Sequence, residues 1–116
     1  RLARKNCKEC RVPDDDVNPK VLTDLGFSPE QASRVKATKG KGCPKCKDTG
    51  YKGRQGIYEI LVVTKPIKEA ILRQATTPEL KEIAIKEGFQ TMQDMGRRMI
   101  ANGELSFREY ERVLSS

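Results

Sequence analysis

The sequence has no histidine and no tryptophan, and its aromatic side chains are three tyrosines and three phenylalanines in 116 residues. Without histidine, mixed cysteine–histidine metal sites are excluded, as is acid–base chemistry built on imidazole. No apolar run approaches the roughly 18 residues of a membrane-spanning helix, and no signal peptide is visible. No GxxxxGK(S/T) phosphate loop occurs; Gly50, Gly53 and Gly56 read as turn glycines. No motif pairs a nucleophile with a base. Hydrophobic residues make up 36% of the chain and charged ones 34%, which leaves a thin core that calls for a staple. The chain opens at Arg1 and is read as a cut from a longer polypeptide.

What the chain does have is two CxxC pairs, Cys7-Lys8-Glu9-Cys10 and Cys43-Pro44-Lys45-Cys46, with 32 residues between them. In such a turn both sulfurs reach one ion while nearby backbone N–H groups bond the thiolates. Two turns together supply the four ligands of a closed tetrahedral zinc site, at about 2.3 Å per Zn–S bond. The expected ligands are therefore Cys7, Cys10, Cys43 and Cys46, around zinc in a structural role. A thioredoxin-like redox pair fits less well, since no βαβ pattern flanks either knuckle. A rubredoxin-type iron centre would have glycine after the second cysteine of each knuckle, where this chain has Arg11 and Lys47. All cysteines fall in CxxC pairs, which suits a reducing compartment better than a secreted disulfide scaffold.

Net charge is +7, and one zinc with four thiolates would lower it to +5, so the chain is basic either way. Lys8, Arg11, Lys45 and Lys47 stand beside the ligands and offset the negative charge of a four-thiolate site. Lys36, Lys39, Lys41, Lys45, Lys47, Lys52 and Arg54 form a basic stretch around the second knuckle, but only Tyr51 and Tyr58 lie near it as stacking platforms. A solvated face or an acidic protein partner is expected there, with nucleic acid disfavoured. Asp14-Asp15-Asp16 reads as a solvated acidic turn.

The fold class expected is α+β: a tetracysteine zinc-binding subdomain of short helices and strands over residues 1–63, then an all-helical subdomain over 64–116. Asn18 before Pro19, and Ser28 before Pro29, open short helices, with Gly26 closing the first. "GIYEILVV" (residues 56–63) reads as a strand. Beyond it, Thr64 and Thr77-Pro78 open helices, and Met92, Met95 and Met99 line a core-facing stripe. "SFRE" (Ser106 to Glu109) has the form of a capping box.

Four stretches, in order, carry a resemblance: "RLARKNCKEC" (residues 1–10), "GCPKCKDTGYKGRQGIYEIL" (42–61), "KEGFQTMQDMG" (86–96) and "GELSFREYERVL" (103–114). This set is similar to the C-terminal part of the type IV pilus assembly and type II secretion ATPases, closer to the pilus branch. It departs from the family at Leu105-Ser106-Phe107, where two threonines are usual. The resemblance implies the four cysteines as zinc ligands and a parent that is a cytoplasmic hexameric ATPase at the inner-membrane face. ATP and Mg²⁺ would bind a motor core whose boxes are not among these residues, so no catalytic residue is expected here. The partners implied are other subunits of the homohexamer and an inner-membrane platform protein of the pilus or secretion machine. The alternative is a stand-alone nucleic-acid-binding zinc ribbon.

Overall fold

In a computed structural model, residues 1–59 and 61–114 are described. They form strands β1 (Leu2–Asn6) and β2 (Arg11–Pro13), helices α1 (Pro19–Leu25) and α2 (Pro29–Arg34), and strands β3 (Thr38–Gly40) and β4 (Tyr51–Gly56). Helices α3 (Lys65–Leu72), α4 (Thr77–Lys86), α5 (Met92–Ala101) and α6 (Phe107–Leu114) follow, and a single 3-10 turn, Pro44–Cys46, carries the second knuckle. The fold is α+β, as expected. None of the described helices is long and apolar enough to cross a membrane.

Local signals set most helix starts. The Asn18 side chain accepts the Val21 N–H at 3.0 Å, and Gly26 ends α1 in the left-handed region, at φ 114°. Ser28 and Gln31 bond each other's backbone at 3.1 Å in a full capping box, as do Thr76 and Glu79 at the head of α4. At α6 the box is only half made. Ser106 Oγ accepts the Glu109 N–H at 3.0 Å, while the Glu109 carboxylate turns to Arg4 and Arg112 instead.

The strands form two antiparallel ribbons. β1 pairs β4 with Leu2 opposite Gly56 and Arg4 opposite Arg54, with an irregularity between Arg4 and Asn6; β2 pairs β3 with Arg11 opposite Gly40. The strand expected over residues 56–63 is replaced by one ending at Gly56. Residues 57–59 and 61–63 belong to no regular element, and Ile60 lies outside the described residues. Past Gly56 the Ile57 N–H donates to the Arg1 carbonyl at 2.6 Å and the Ile57 carbonyl accepts from the Arg1 amine at 2.7 Å, while Tyr58, Val62 and Val63 are exposed with no described strand beside them. Apolar β-branched residues without a partner edge do not make a ladder.

The chain forms two compact units, one of residues 1–57 with those from Met92 onward, the other Tyr58–Thr91. The division differs from the expected boundary after Val63, because α5 and α6 return to the N-terminal half. In the first unit Ala3, Leu22, Ile57, Ile100 and Leu105 are buried together with Tyr110 and Leu114. Met99 is buried in this core, and Met92 and Met95 are partly buried against it, so the methionine stripe packs as its spacing indicates. A Cβ at Gly96 would lie 2.5 Å from Leu114 Cδ1, so α5 and α6 approach closely at that point. The second unit pairs α3 with α4 over Ile67, Ala70 and Ala84.

Candidate metal centre

The two knuckles come together because the strands beside them are paired. β1 leads into Cys7 and β2 leaves Cys10, while β3 and β4 flank the second pair. The ladders therefore bring sequence-distant cysteines to one end of both ribbons. The Cys7 N–H donates to the Gly50 carbonyl at 2.9 Å, and the Lys41 N–H donates to the Cys10 carbonyl at 3.0 Å. Between these bonds the chains cross with no room for side chains. A Cβ at Gly40 would lie 1.9 Å from the Gly50 carbonyl oxygen, and Gly50 itself sits at φ 82°.

The ligand atoms of Cys7, Cys10, Cys43 and Cys46 all lie within 4.8 Å of one another, an arrangement that could hold a metal ion. The cysteines are free, with no disulfide. Cys7 and Cys43 sulfurs are 3.8 Å apart, Cys10 and Cys46 3.8 Å, and Cys43 and Cys46 3.7 Å. Four sulfurs at about 2.3 Å from a shared tetrahedral centre stand about 3.8 Å apart, so the donor set fits such an ion. A disulfide would need about 2 Å.

Backbone N–H groups reach the sulfurs. The Gly42 N–H donates to Cys10 Sγ at 3.2 Å, and Cys46 Sγ receives the Cys43 N–H at 3.3 Å and the Gly50 N–H at 3.2 Å. Burial pushes the Cys46 thiol up, but the N–H groups of Cys43 and Gly50, together with hydrogen bonds from the Cys43 and Cys10 thiols, outweigh it and hold its pKa at about 6, so this sulfur favours the thiolate. Burial dominates at Cys10 and raises its pKa to about 11, against one N–H from Gly42. Lys47 and Asp48 complete the knuckle in the left-handed region, at φ 55° and 61°.

Two parts of this arrangement carry no obvious signal in the sequence. Asn6, which precedes the first ligand, is buried and sends Nδ2 to the Gly103 carbonyl at 3.1 Å and to Thr38 Oγ1 at 3.2 Å. Its Oδ1 has no partner among the described residues. Arg11, expected to offset the thiolate charge, directs Nη1 to the same Gly103 carbonyl at 3.3 Å. The α5–α6 turn is thus tied to residues on either side of the first knuckle. The second part is the glycine set. Gly50 was legible as a turn residue by type, but its close crossing with Gly40 depends on strand pairing. Asp14 is not simply solvated: Lys39 Nζ stands 3.9 Å from its carboxylate, and it accepts the Asp16 N–H at 3.1 Å.

Comparison with known proteins agrees with the motif order. The chain is 37% identical over 109 residues to the type IV pilus assembly ATPase PilB of Thermus thermophilus, covering 94% of this chain and 12% of that protein. It is 33% identical to PilB of Myxococcus xanthus, covering 94% of this chain and 19% of that protein. Against the type II secretion system ATPase E of Vibrio cholerae it is 30% identical, covering 97% and 22% respectively. The chain therefore spans between an eighth and about a fifth of these relatives' length. Residues 1–112 match the family described as type II/IV secretion system protein, and the chain belongs to that family.

Proposed function

We propose that this chain is the metal-clipped C-terminal part of a secretion or pilus-assembly ATPase. In this reading Cys7, Cys10, Cys43 and Cys46 bind one structural zinc ion. The observation that carries it is the spacing of their sulfurs, 3.7 to 3.8 Å for three of the pairs and within 4.8 Å for all, which suits four-thiolate tetrahedral coordination. With every position taken by protein, such an ion supplies folding energy and leaves no open site for a reacting water. The ligands come from both ribbons, so metal binding would hold β1, β2 and the second knuckle in one arrangement.

The chain itself does no hydrolysis in this reading. ATP and Mg²⁺ belong to a motor core elsewhere in a homohexameric parent at the cytoplasmic face of a bacterial inner membrane. This part supports subunit packing and contact with a membrane platform partner. Exposed Leu61, Val62, Val63, Ile71, Leu72 and Ile85, all in residues 58–91, favour a contact role for that unit. X-ray absorption with metal analysis tests the centre: one zinc per chain with four sulfur neighbours is expected, and iron or an empty site overturns the assignment. In the full-length parent, replacing all four cysteines by serine should leave nucleotide binding intact while weakening hexamer formation and pilus extension or secretion. Retained assembly would remove the packing role.

A further inference from the structure

The β1–β4 ribbon places two like charges in direct opposition. Arg4 and Arg54 are Cα partners in the antiparallel register. Like charges directly opposite across a ribbon destabilise it. With Arg112 of α6 they line one depression of about 450 Å³, completed by Leu2 and Ala3, with no acidic residue in its lining. The nearby carboxylate is Glu109, which is fully buried and occupied by Arg4 and Arg112 through the Nε and Nη2 atoms of each. The Nη1 groups of both arginines, and the entire Arg54 guanidinium, have no hydrogen-bond or ion-pair partner among the described residues. One buried anion thus fixes two guanidiniums side by side without neutralising the three, and two positive charges are left over.

We propose that this depression is an oxyanion site for a dianionic phosphoryl group. An uncommitted Arg54 beside the remaining Nη1 donors of Arg4 and Arg112 suits an oxygen-rich dianion better than a lone carboxylate, because several charge-assisted donors line one depression and the residual charge is +2. Arg4 is held from behind as well, its Cζ 4.1 Å from the centre of the Tyr51 ring, so its fork is pre-positioned. Arg54 is the group whose charge is uncommitted, and it supplies the binding increment. The site is independent of the metal reading: none of its residues is one of the four cysteines.

The shared chemistry is the phosphoryl dianion, carried by a soluble phosphate or by a lipid headgroup. Calorimetric titration of the whole chain with inorganic phosphate at low ionic strength is the test. Saturable binding is expected, weakened about tenfold by Arg54→Ala and partly restored by Arg54→Lys, as for loss of one charge-assisted fork. Lys81→Ala removes equal charge from an exposed helix position and should leave binding unchanged. Absence of saturable binding overturns the site, and so does equal weakening by Lys81→Ala, which would indicate only net charge. Co-sedimentation with phosphatidic acid, whose headgroup is a phosphate monoester, and with phosphatidylcholine vesicles then separates the sources. Arg54-dependent retention on the anionic vesicles alone supports the site with a headgroup as its ligand. Phosphate binding without retention supports it with a soluble phosphate.

Discussion

The buried carboxylate of Glu109 holds Arg4 at two places across 105 positions of sequence, accepting its backbone N–H at 2.6 Å and its guanidinium at 3.0 Å. Arg112, one turn along α6, adds two more bonds at 2.7 and 2.8 Å. β1 and α6 are thereby locked together at the strand that feeds the first knuckle.

Acid should release this lock. Burial pushes the Glu109 carboxyl up, but the Arg112 and Arg4 guanidiniums outweigh it and hold its pKa at about 2, below the ordinary 4.5. A carboxyl depressed on folding contributes stability that is complete above about pH 4.5 and is lost as the pH falls towards 2. Both guanidiniums are about half exposed, so the contribution is on the order of 2 kcal/mol. Glu109→Gln should remove that amount at neutral pH and flatten the acid limb of denaturant midpoints between pH 5 and 2. An unchanged acid limb in the variant would place the acid sensitivity elsewhere.

Gly40 and Gly50 make a steric prediction. A methyl group at position 40 would lie 1.9 Å from the Gly50 carbonyl oxygen, a backbone atom that cannot swing aside. Gly40→Ala should cost about 3 kcal/mol or more by forcing the two knuckles apart, and should lower metal affinity along with it. Gly53→Ala provides the comparison. It has a left-handed backbone but open space around it, so its cost should stay near 1 kcal/mol and its metal affinity near normal. Thermal melts and chelator competition on the two variants decide between clash and turn strain.

Packing between helices gives a milder case. At Gly96 the intruding methyl would meet Leu114 Cδ1 at 2.5 Å and the Tyr110 ring at 2.8 Å, side-chain atoms that can shift. Gly96→Ala should therefore destabilise by about 1–3 kcal/mol, with helix propensity returning up to about 1 kcal/mol of the packing loss. A net stabilisation would show that α5 and α6 have slack at this point.

Features that depend on a few neighbouring residues could be read from the chain. The CxxC spacing announced the cysteine cluster, Asn18 and Ser28 announced their helices, and Met92, Met95 and Met99 announced a buried face. What depends on distant pairing could not be. "SFRE" promised that Glu109 would cap its own helix, yet two arginines offer a buried carboxylate more than one N–H does. "GIYEILVV" has strand composition, but past Gly56 no described strand lies beside it. α5 and α6 look like a continuation of α3 and α4 in sequence, and they pack instead on β1 and the N-terminal helices because Ile100, Leu105 and Tyr110 complete that core. The role of Asn6 was hidden for the same reason: its partners, Thr38 and Gly103, lie 32 and 97 positions away.

That shared core determines what metal loss should do. Cys46 Sγ takes two backbone N–H bonds and lies near the Cys10 and Cys43 sulfurs. Cys46→Ser should release the metal and loosen β1 to β4. It should also loosen α5 and α6, since the Asn6 backbone N–H bonds the Glu104 carbonyl at 2.8 Å and Asn6 Nδ2 bonds Gly103. The α3–α4 pair forms its own compact unit, and its amides should keep their protection. Hydrogen exchange on the wild-type chain with and without chelator, beside Cys46→Ser, resolves the two groups of helices. If α5 and α6 stay protected while the knuckles exchange freely, the Asn6–Gly103 tie does not transmit the loss, and metal stabilises the ribbons alone.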